Sequence, residues 1–208
     1  MGFRHARSVR VAPPIDFGIQ MRPVLIVPGL FNSPPGHWQS HWEAELGDAS
    51  RVEQDNWDQP TLGEWTAGLV EALRRRPGAL LVGHSLGCAL IAHVAQIRGA
   101  RGISGALLVA PAEVHRDGPV GPLLEGFDPV PMSRLPFPST VVSSRTDPFV
   151  SFSRAAQFAE AWGSKFVDLG DAGHINIASG YGAWPEGLAL LRELEQRATT
   201  EAGQASHR

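Results

Sequence analysis

Three residues whose side chains can cooperate in nucleophilic catalysis occur in the order serine, aspartate, histidine: Ser85, Asp147 and His174. A serine hydroxyl is a poor nucleophile near neutral pH, but an imidazole within hydrogen-bond reach can accept its proton and return it to the leaving group. A carboxylate orients the imidazole and stabilises the imidazolium that forms. We therefore predict that these three side chains form a catalytic triad.

Ser85 is the centre of a Gly-x-Ser-x-Gly pattern, Gly83-His84-Ser85-Leu86-Gly87. An apolar run precedes the pattern, and apolar residues at helical spacing follow it. This context predicts a strained strand-to-helix turn, in which the glycines leave room for the backbone and the hydroxyl projects above a sheet. The backbone N–H of Leu86 would then face a developing oxyanion at the positive end of the helix. The alternative is a tight connection with an inert serine.

A second backbone donor is expected in the loop that follows the first predicted strand. Residues 24–27 form a continuous apolar run that stops at Pro28-Gly29. The glycine allows the backbone to turn beneath the site, so the N–H of Leu30 or of Phe31 could complete the oxyanion hole. The sequence leaves this choice open.

Aromatic side chains near these motifs are candidates for the walls of a substrate pocket, although core packing explains each of them at least as well. They are Phe31, Trp38, Phe149 and Trp184. The dipeptides His37-Trp38 and His41-Trp42 would place two histidines on one helix face, which allows a metal site in principle. No further ligand stands nearby in the sequence, so we favour packing and expect no metal and no cofactor.

Strand-like and helix-like segments alternate along the chain, which predicts an α/β protein with one mostly parallel sheet covered by helices on both faces. Asp147 follows the predicted strand 140–144, and His174 follows the predicted strand 165–169. Functional loops in such sheets lie beyond the carboxyl ends of the strands. Rival acids remain weaker candidates: Asp171 is close to His174 in sequence, Asp168 lies within a strand, and Asp128 lies in a loop segment. His84 is interpreted as support for the turn.

The chain is expected to form one domain over residues 21–198, without a large cap. Residues 1–20 are predicted to form a flexible N-terminal extension. They contain no apolar segment of the kind found in a signal peptide, and Met21 is an alternative start. The proline- and glycine-rich segment 112–138 could form a short flap over the site. A terminal helix is predicted over residues 185–197, and residues 199–208 are predicted to be a disordered tail.

The composition indicates a cytoplasmic protein without a nucleic-acid or membrane partner. A formal net charge of −3 over 208 residues gives no reason to expect either partner. The single cysteine, Cys88, cannot form an internal disulfide and falls in the predicted helix after Ser85, where we expect it to be buried.

From residue 24 to about residue 194, the sequence resembles the small serine-hydrolase family of α/β-hydrolases that includes the retinoblastoma-binding serine hydrolase and YdeN-like proteins. The motifs that carry the resemblance are Val27-Pro28-Gly29, Gly36-His37-Trp38 with Trp42, Gly83-His84-Ser85-Leu86-Gly87, Asp147-Pro148-Phe149, Gly173-His174-Ile175-Asn176, and Ser179-Gly180-Tyr181-Gly182 followed by Trp184-Pro185. The resemblance implies an α/β-hydrolase fold, the Ser85-Asp147-His174 triad, and cofactor-free hydrolysis without a large lid. The retinoblastoma-binding motif Leu-x-Cys-x-Glu lacks its glutamate here, so that partner is not expected.

The predicted function is therefore a serine hydrolase that cleaves a small ester, thioester or activated amide through an acyl-enzyme. A hydrolase-like binding module with little turnover is the alternative, and acyl transfer to an acceptor other than water would use the same triad. The partner is expected to be a small acyl substrate, while its identity and the oligomeric state stay open.

Overall fold

The structure is a computed structural model that describes residues 21–114 and 121–205. The predicted N-terminal extension, residues 1–20, lies outside the described residues. Within them, the strands are β1 (Val24–Val27), β2 (Ala49–Arg51), β3 (Ala79–His84), β4 (Ile103–Val109), β5 (Ser139–Ser143) and β6 (Lys165–Asp168). The helices are α1 (Trp38–Glu45), α2 (Leu62–Arg75), α3 (Leu86–Arg98), α4 (Phe152–Trp162) and α5 (Pro185–Ala205).

The described strands form one parallel sheet in the order β2-β1-β3-β4-β5-β6. Because alternate residues of a strand point to opposite faces, Leu25 and Leu81 pack with α2, α3 and α4, whereas Ile26 and Val82 pack with α1 and α5. Two apolar layers therefore cover the sheet. The predicted α/β architecture, parallel and without a large cap, is confirmed.

Local interactions define the start of α2 and the end of α4. The Thr61 hydroxyl accepts a hydrogen bond from Glu64 N–H at the start of α2, and Gly163 ends α4 in the left-handed region. The terminal helix is longer than predicted, since α5 continues to Ala205 rather than ending near residue 197. The hydroxyls of Thr199 and Thr200 donate to the Glu195 and Gln196 carbonyls one turn earlier, so both polar side chains are accommodated within the helix. Residues 199–205 of the predicted disordered tail are therefore helical.

The proline- and glycine-rich segment after β4 packs into the core in its described parts rather than forming a free flap. The apolar residues that it buries there are Val114, Leu124, Phe127, Val130, Leu135 and Phe137. The Trp162 indole donates to the Pro131 carbonyl, which attaches the segment to α4. Its apolar side chains explain the difference, because each one buried contributes about 1.5–3 kcal/mol relative to exposure.

No helix among residues 21–114 and 121–205 combines the length and apolar character that a bilayer span needs.

Candidate active site

Ser85 occupies the turn between β3 and α3 with φ 54° and ψ −120°, a backbone conformation that is rare for a residue with a side chain. The turn is held by Ser85 N–H, which donates to the Val109 carbonyl of β4. A Cβ on Gly87 would lie 2.2 Å from the carbonyl oxygen of Val27, so only glycine allows α3 to start this close to β1. The strained turn predicted from the glycine spacing is present.

Gly29 has a second steric role that the sequence did not reveal. A Cβ at this position would lie 2.8 Å from Ser85 Cβ and 3.0 Å from the His84 carbonyl oxygen. The loop after β1 therefore approaches the turn at Ser85 only because residue 29 lacks a side chain. The Pro-Gly pair indicated a turn, but not this contact.

His174 and Asp147 lie together beyond the ends of β6 and β5. His174 Nδ1 lies 3.0 Å from Asp147 Oδ1 and 2.9 Å from Oδ2. The Asp147 side chain is fully buried, and 9% of the His174 side chain is exposed. Because a carboxylate can only accept, Nδ1 carries the proton and Nε2 is left as the basic nitrogen.

Two hydroxyl side chains join the loops that carry the acid and the base. Ser144 Oγ accepts hydrogen bonds from Thr146 N–H and from Ala172 N–H, and Thr146 Oγ1 accepts one from Gly173 N–H. The loop after β5 thereby positions the loop after β6. The sequence analysis did not identify Ser144 and Thr146. Their only indication in the sequence is the run of hydroxyl residues at the end of β5.

The rival carboxylates lie elsewhere. Asp168 accepts hydrogen bonds from the Arg145 guanidinium, which holds the Asp168 pKa below its usual value together with the Gly170 N–H. Asp171 and Asp128 are exposed residues. Asp147 is the carboxylate that contacts the His174 ring.

Three histidine rings form a row behind the site. The His84 ring centroid lies 4.9 Å from that of His37 and 4.8 Å from that of His174. His84 Nε2 must donate to the His174 carbonyl at 2.9 Å, because that oxygen can only accept. The loop carrying His174 is thereby attached to the residue before Ser85, which agrees with the interpretation of His84 as a supporting residue.

Burial keeps the rings of His37 and His84 neutral. Burial, followed by the Arg51 and His174 charges, lowers the pKa of His37 to about 4. Burial also lowers the pKa of His84 well below its usual value, with smaller effects from His174 and His37. His37 Nδ1 accepts from Gln39 N–H and caps α1. The described residues contain no cluster that could hold a metal ion.

A cavity of about 380 Å³ opens at this end of the sheet, and both Ser85 and His174 line it. Phe31 and Phe149, two of the four candidates for the pocket wall, also line the cavity. Trp38 and Trp184 do not. The prediction that they are pocket walls is wrong.

The two tryptophans belong to the core layer beneath the loops. The rings of Trp38 and Trp184 contact each other with centroids 5.2 Å apart, and both side chains are buried. The Trp38 indole donates to the Ile175 carbonyl at 2.8 Å, which supports the backbone next to His174 from below. Their large apolar surfaces are more stable between α1 and α5 than in an open cavity.

The two candidate backbone donors in the loop after β1 differ in their hydrogen bonding. Phe31 N–H donates to the Trp57 carbonyl at 2.9 Å. Among the hydrogen bonds of the described residues, none uses the N–H of Leu30 or of Leu86. Leu30 and Leu86 both line the cavity.

Arg51 of β2 holds this loop from outside the cavity. Its guanidinium donates to Asn32 Oδ1 at 2.6 Å, to the Ser33 carbonyl at 2.7 Å and to Ser40 Oγ at 2.8 Å, and it pairs with Glu43. Phe31 and Asn32 both have a positive φ, so Arg51 stabilises a loop conformation that is uncommon for residues with a side chain.

Parallel strands in this order, a serine in the turn after β3, and an Asp–His pair beyond β5 and β6 define an α/β-hydrolase. The serine hydrolase family model matches residues 24–193, and the chain belongs to this family of enzymes. None of the curated proteins matches the sequence closely enough to count as a relative.

Solved structures similar to the chain include hydrolases. A YdeN-like hydrolase from Pectobacterium atrosepticum is 38% identical, with a TM-score of 0.77 over 86% of this chain and 93% of that one. The ydeN gene product of B. subtilis is 22% identical, with a TM-score of 0.71 over 84% and 98% of the two chains. An esterase from Thermogutta terrifontis shares the fold at 17% identity, with a TM-score of 0.61 over 85% and 90%.

Proposed function

We propose that Ser85, His174 and Asp147 act as a catalytic triad that hydrolyses a small ester, thioester or activated amide through an acyl-enzyme. The observation that carries the proposal is the buried His174–Asp147 hydrogen bond beside a cavity that also contains Ser85 in its strained turn. The esterase in the comparison supports an ester as the first substrate to test.

The chemistry runs in two half-reactions. Ser85 Oγ attacks the acyl carbon while His174 Nε2 takes the hydroxyl proton, and the carbonyl oxygen becomes an oxyanion. When the tetrahedral intermediate collapses, the bond to the alcohol, thiol or amine breaks and the leaving group receives the proton from His174. Water then attacks the acyl-enzyme by the same route and releases the acid and free Ser85.

The oxyanion is stabilised by the N–H groups of Leu86 and Leu30. Leu86 is the first residue of α3, where backbone N–H groups have no partner within the helix and the dipole is positive. Leu30 is favoured over Phe31 because the Phe31 N–H already donates to Trp57. Each such donor contributes about 10²–10³-fold to the rate.

Labelling with a fluorophosphonate probe tests the proposal. Because the probe reacts with activated serines, we expect rapid labelling of the chain at one residue, Ser85, identified by peptide mass spectrometry. The Ser85→Ala variant should not be labelled, and the exposed Ser153→Ala variant should be labelled as fast as the wild type. Slow labelling, at the rate of the denatured chain, would favour the binding-module alternative.

Arg51 provides a second test through the oxyanion loop. We expect Arg51→Lys to lower kcat by about 10- to 100-fold with little change in KM, since one ammonium cannot hold Asn32, Ser33 and Ser40 together and the Leu30 donor shifts. Steady-state ester hydrolysis measures the effect. The matched control is Arg145→Lys. Arg145 forms an exposed ion pair with Asp168, so this substitution should leave kcat within about twofold of the wild-type value. An equal effect of both substitutions would contradict the role of Arg51.

A further inference from the structure

The large apolar side chains that remain exposed are concentrated around the active-site cavity. Phe31 is 59% exposed, Phe149 51% and Ile177 45%, and all three line the cavity beside Ser85. Among the described residues, only two other large apolar side chains are exposed, Ile97 and Met132, and neither lines the cavity. Clustered exposed apolar side chains mark a surface that a ligand covers.

The interior of the cavity continues this apolar surface. Leu30, Leu86 and Leu124 line it together with alanine and proline side chains. The cavity volume of about 380 Å³ lies at the lower end of the range typical of small-molecule sites. We take an acyl chain of about six to eight carbons as the length that a cavity of this size accommodates.

The charges around the cavity do not favour an ionic substrate. Glu113 is the one carboxylate among the described lining residues, and the Arg154 guanidinium pairs with it. His37 and His84 also line the cavity, and burial keeps both neutral. A substrate with a positively charged amino group next to its carbonyl would therefore lose hydration without gaining an ionic partner.

We infer that the substrates are uncharged esters with an apolar, medium-length acyl chain, which Phe31 and Ile177 bind at the mouth of the cavity. Phe149 borders the leaving group, because its ring lies against the ring of His174, with centroids 4.5 Å apart, and His174 protonates that group. This inference rests on the proposed function and specifies its substrate class.

The test is a series of 4-nitrophenyl esters from acetate to decanoate, used below their aggregation limits. Each buried methylene contributes about 0.8 kcal/mol, so kcat/KM should rise about fourfold per added methylene and reach its maximum at about six to eight carbons. If kcat/KM stays constant or falls as the acyl chain lengthens from acetate, the inference is overturned.

Variants of the mouth locate the binding of the chain. Phe31→Asn keeps a residue type that tolerates a positive φ, and Ile177→Ser removes the second contact. Each should lower the octanoate-to-acetate ratio of kcat/KM at least about fivefold, the loss expected from about one to two buried methylenes. Ile97→Ser, an exposed position away from the cavity, should keep the wild-type ratio. Equal ratios in all four proteins would remove Phe31 and Ile177 from the acyl site.

A charged comparison completes the experiment. The aminoacyl ester that carries an α-amino group should react at least about tenfold more slowly than its uncharged isostere, because one unpaired charge costs more than about 1.4 kcal/mol. Faster hydrolysis of the charged ester would overturn the substrate class while leaving the triad intact. Absence of fluorophosphonate labelling at Ser85 would overturn both the triad and this inference.

Discussion

Ser85→Ala is expected to lower kcat for ester hydrolysis by about 10⁴- to 10⁶-fold, since the acyl-enzyme cannot form without the hydroxyl. The residual rate comes from the oxyanion donors and substrate binding acting on water. Alanine leaves the rest of the turn unchanged, because the hydrogen bond to Val109 uses the backbone N–H of residue 85. Steady-state kinetics with a 4-nitrophenyl ester, on protein free of a host esterase, measures the loss.

Thermal unfolding separates this catalytic effect from misfolding. The Ser85→Ala variant should unfold within a few degrees of the wild type, because the substitution removes one oxygen from a partly exposed side chain. Ser153→Ala provides the kinetic control on the surface. A Ser85→Ala enzyme that retains more than about a tenth of the wild-type kcat would exclude residue 85 as the nucleophile.

Asp147→Asn should lower kcat by about 10⁴-fold, the size of effect known for an asparagine in the acid position of a serine protease triad. The carboxylate holds the proton on His174 Nδ1 and leaves Nε2 basic. An asparagine amide can donate to Nδ1 instead, which moves the ring proton to Nε2, where it blocks general-base catalysis. The amide oxygen can still accept the Phe149 N–H, so the loop should persist.

Asp168→Asn is the matched control for the acid. Asp168 belongs to the neighbouring strand and forms an exposed ion pair with Arg145, so its loss should change kcat by no more than about twofold. Kinetics of both variants, with circular dichroism to check folding, decides between the two acids. A larger loss in Asp168→Asn than in Asp147→Asn would reverse the assignment.

Sequence reasoning located the turn at Ser85 because its determinants lie within about ten residues. The apolar strand, the glycines at 83 and 87, and the helical spacing that follows all act locally. The pairing of Asp147 with His174 could also be anticipated, since parallel strands bring their carboxyl ends to one edge.

The aromatic residues could not be assigned in this way. A buried tryptophan and a cavity-lining phenylalanine look alike in sequence, because both are large and apolar. Packing between α1, α5 and the sheet placed Trp38 and Trp184 in the core, whereas Phe31 and Phe149 remained at the cavity.

The sequence by itself determined the fold class, the turn that carries the serine, and the family to which the chain belongs. Only the tertiary structure decided which backbone N–H after β1 is available to a substrate. The Phe31 N–H donates to the carbonyl of Trp57, a residue distant in the chain. The tertiary structure also revealed that Arg51 supports this loop, and that the exposed apolar side chains gather at one cavity. Local signals depend on neighbours along the chain, whereas hydrogen-bond partners and burial depend on segments that only folding brings together.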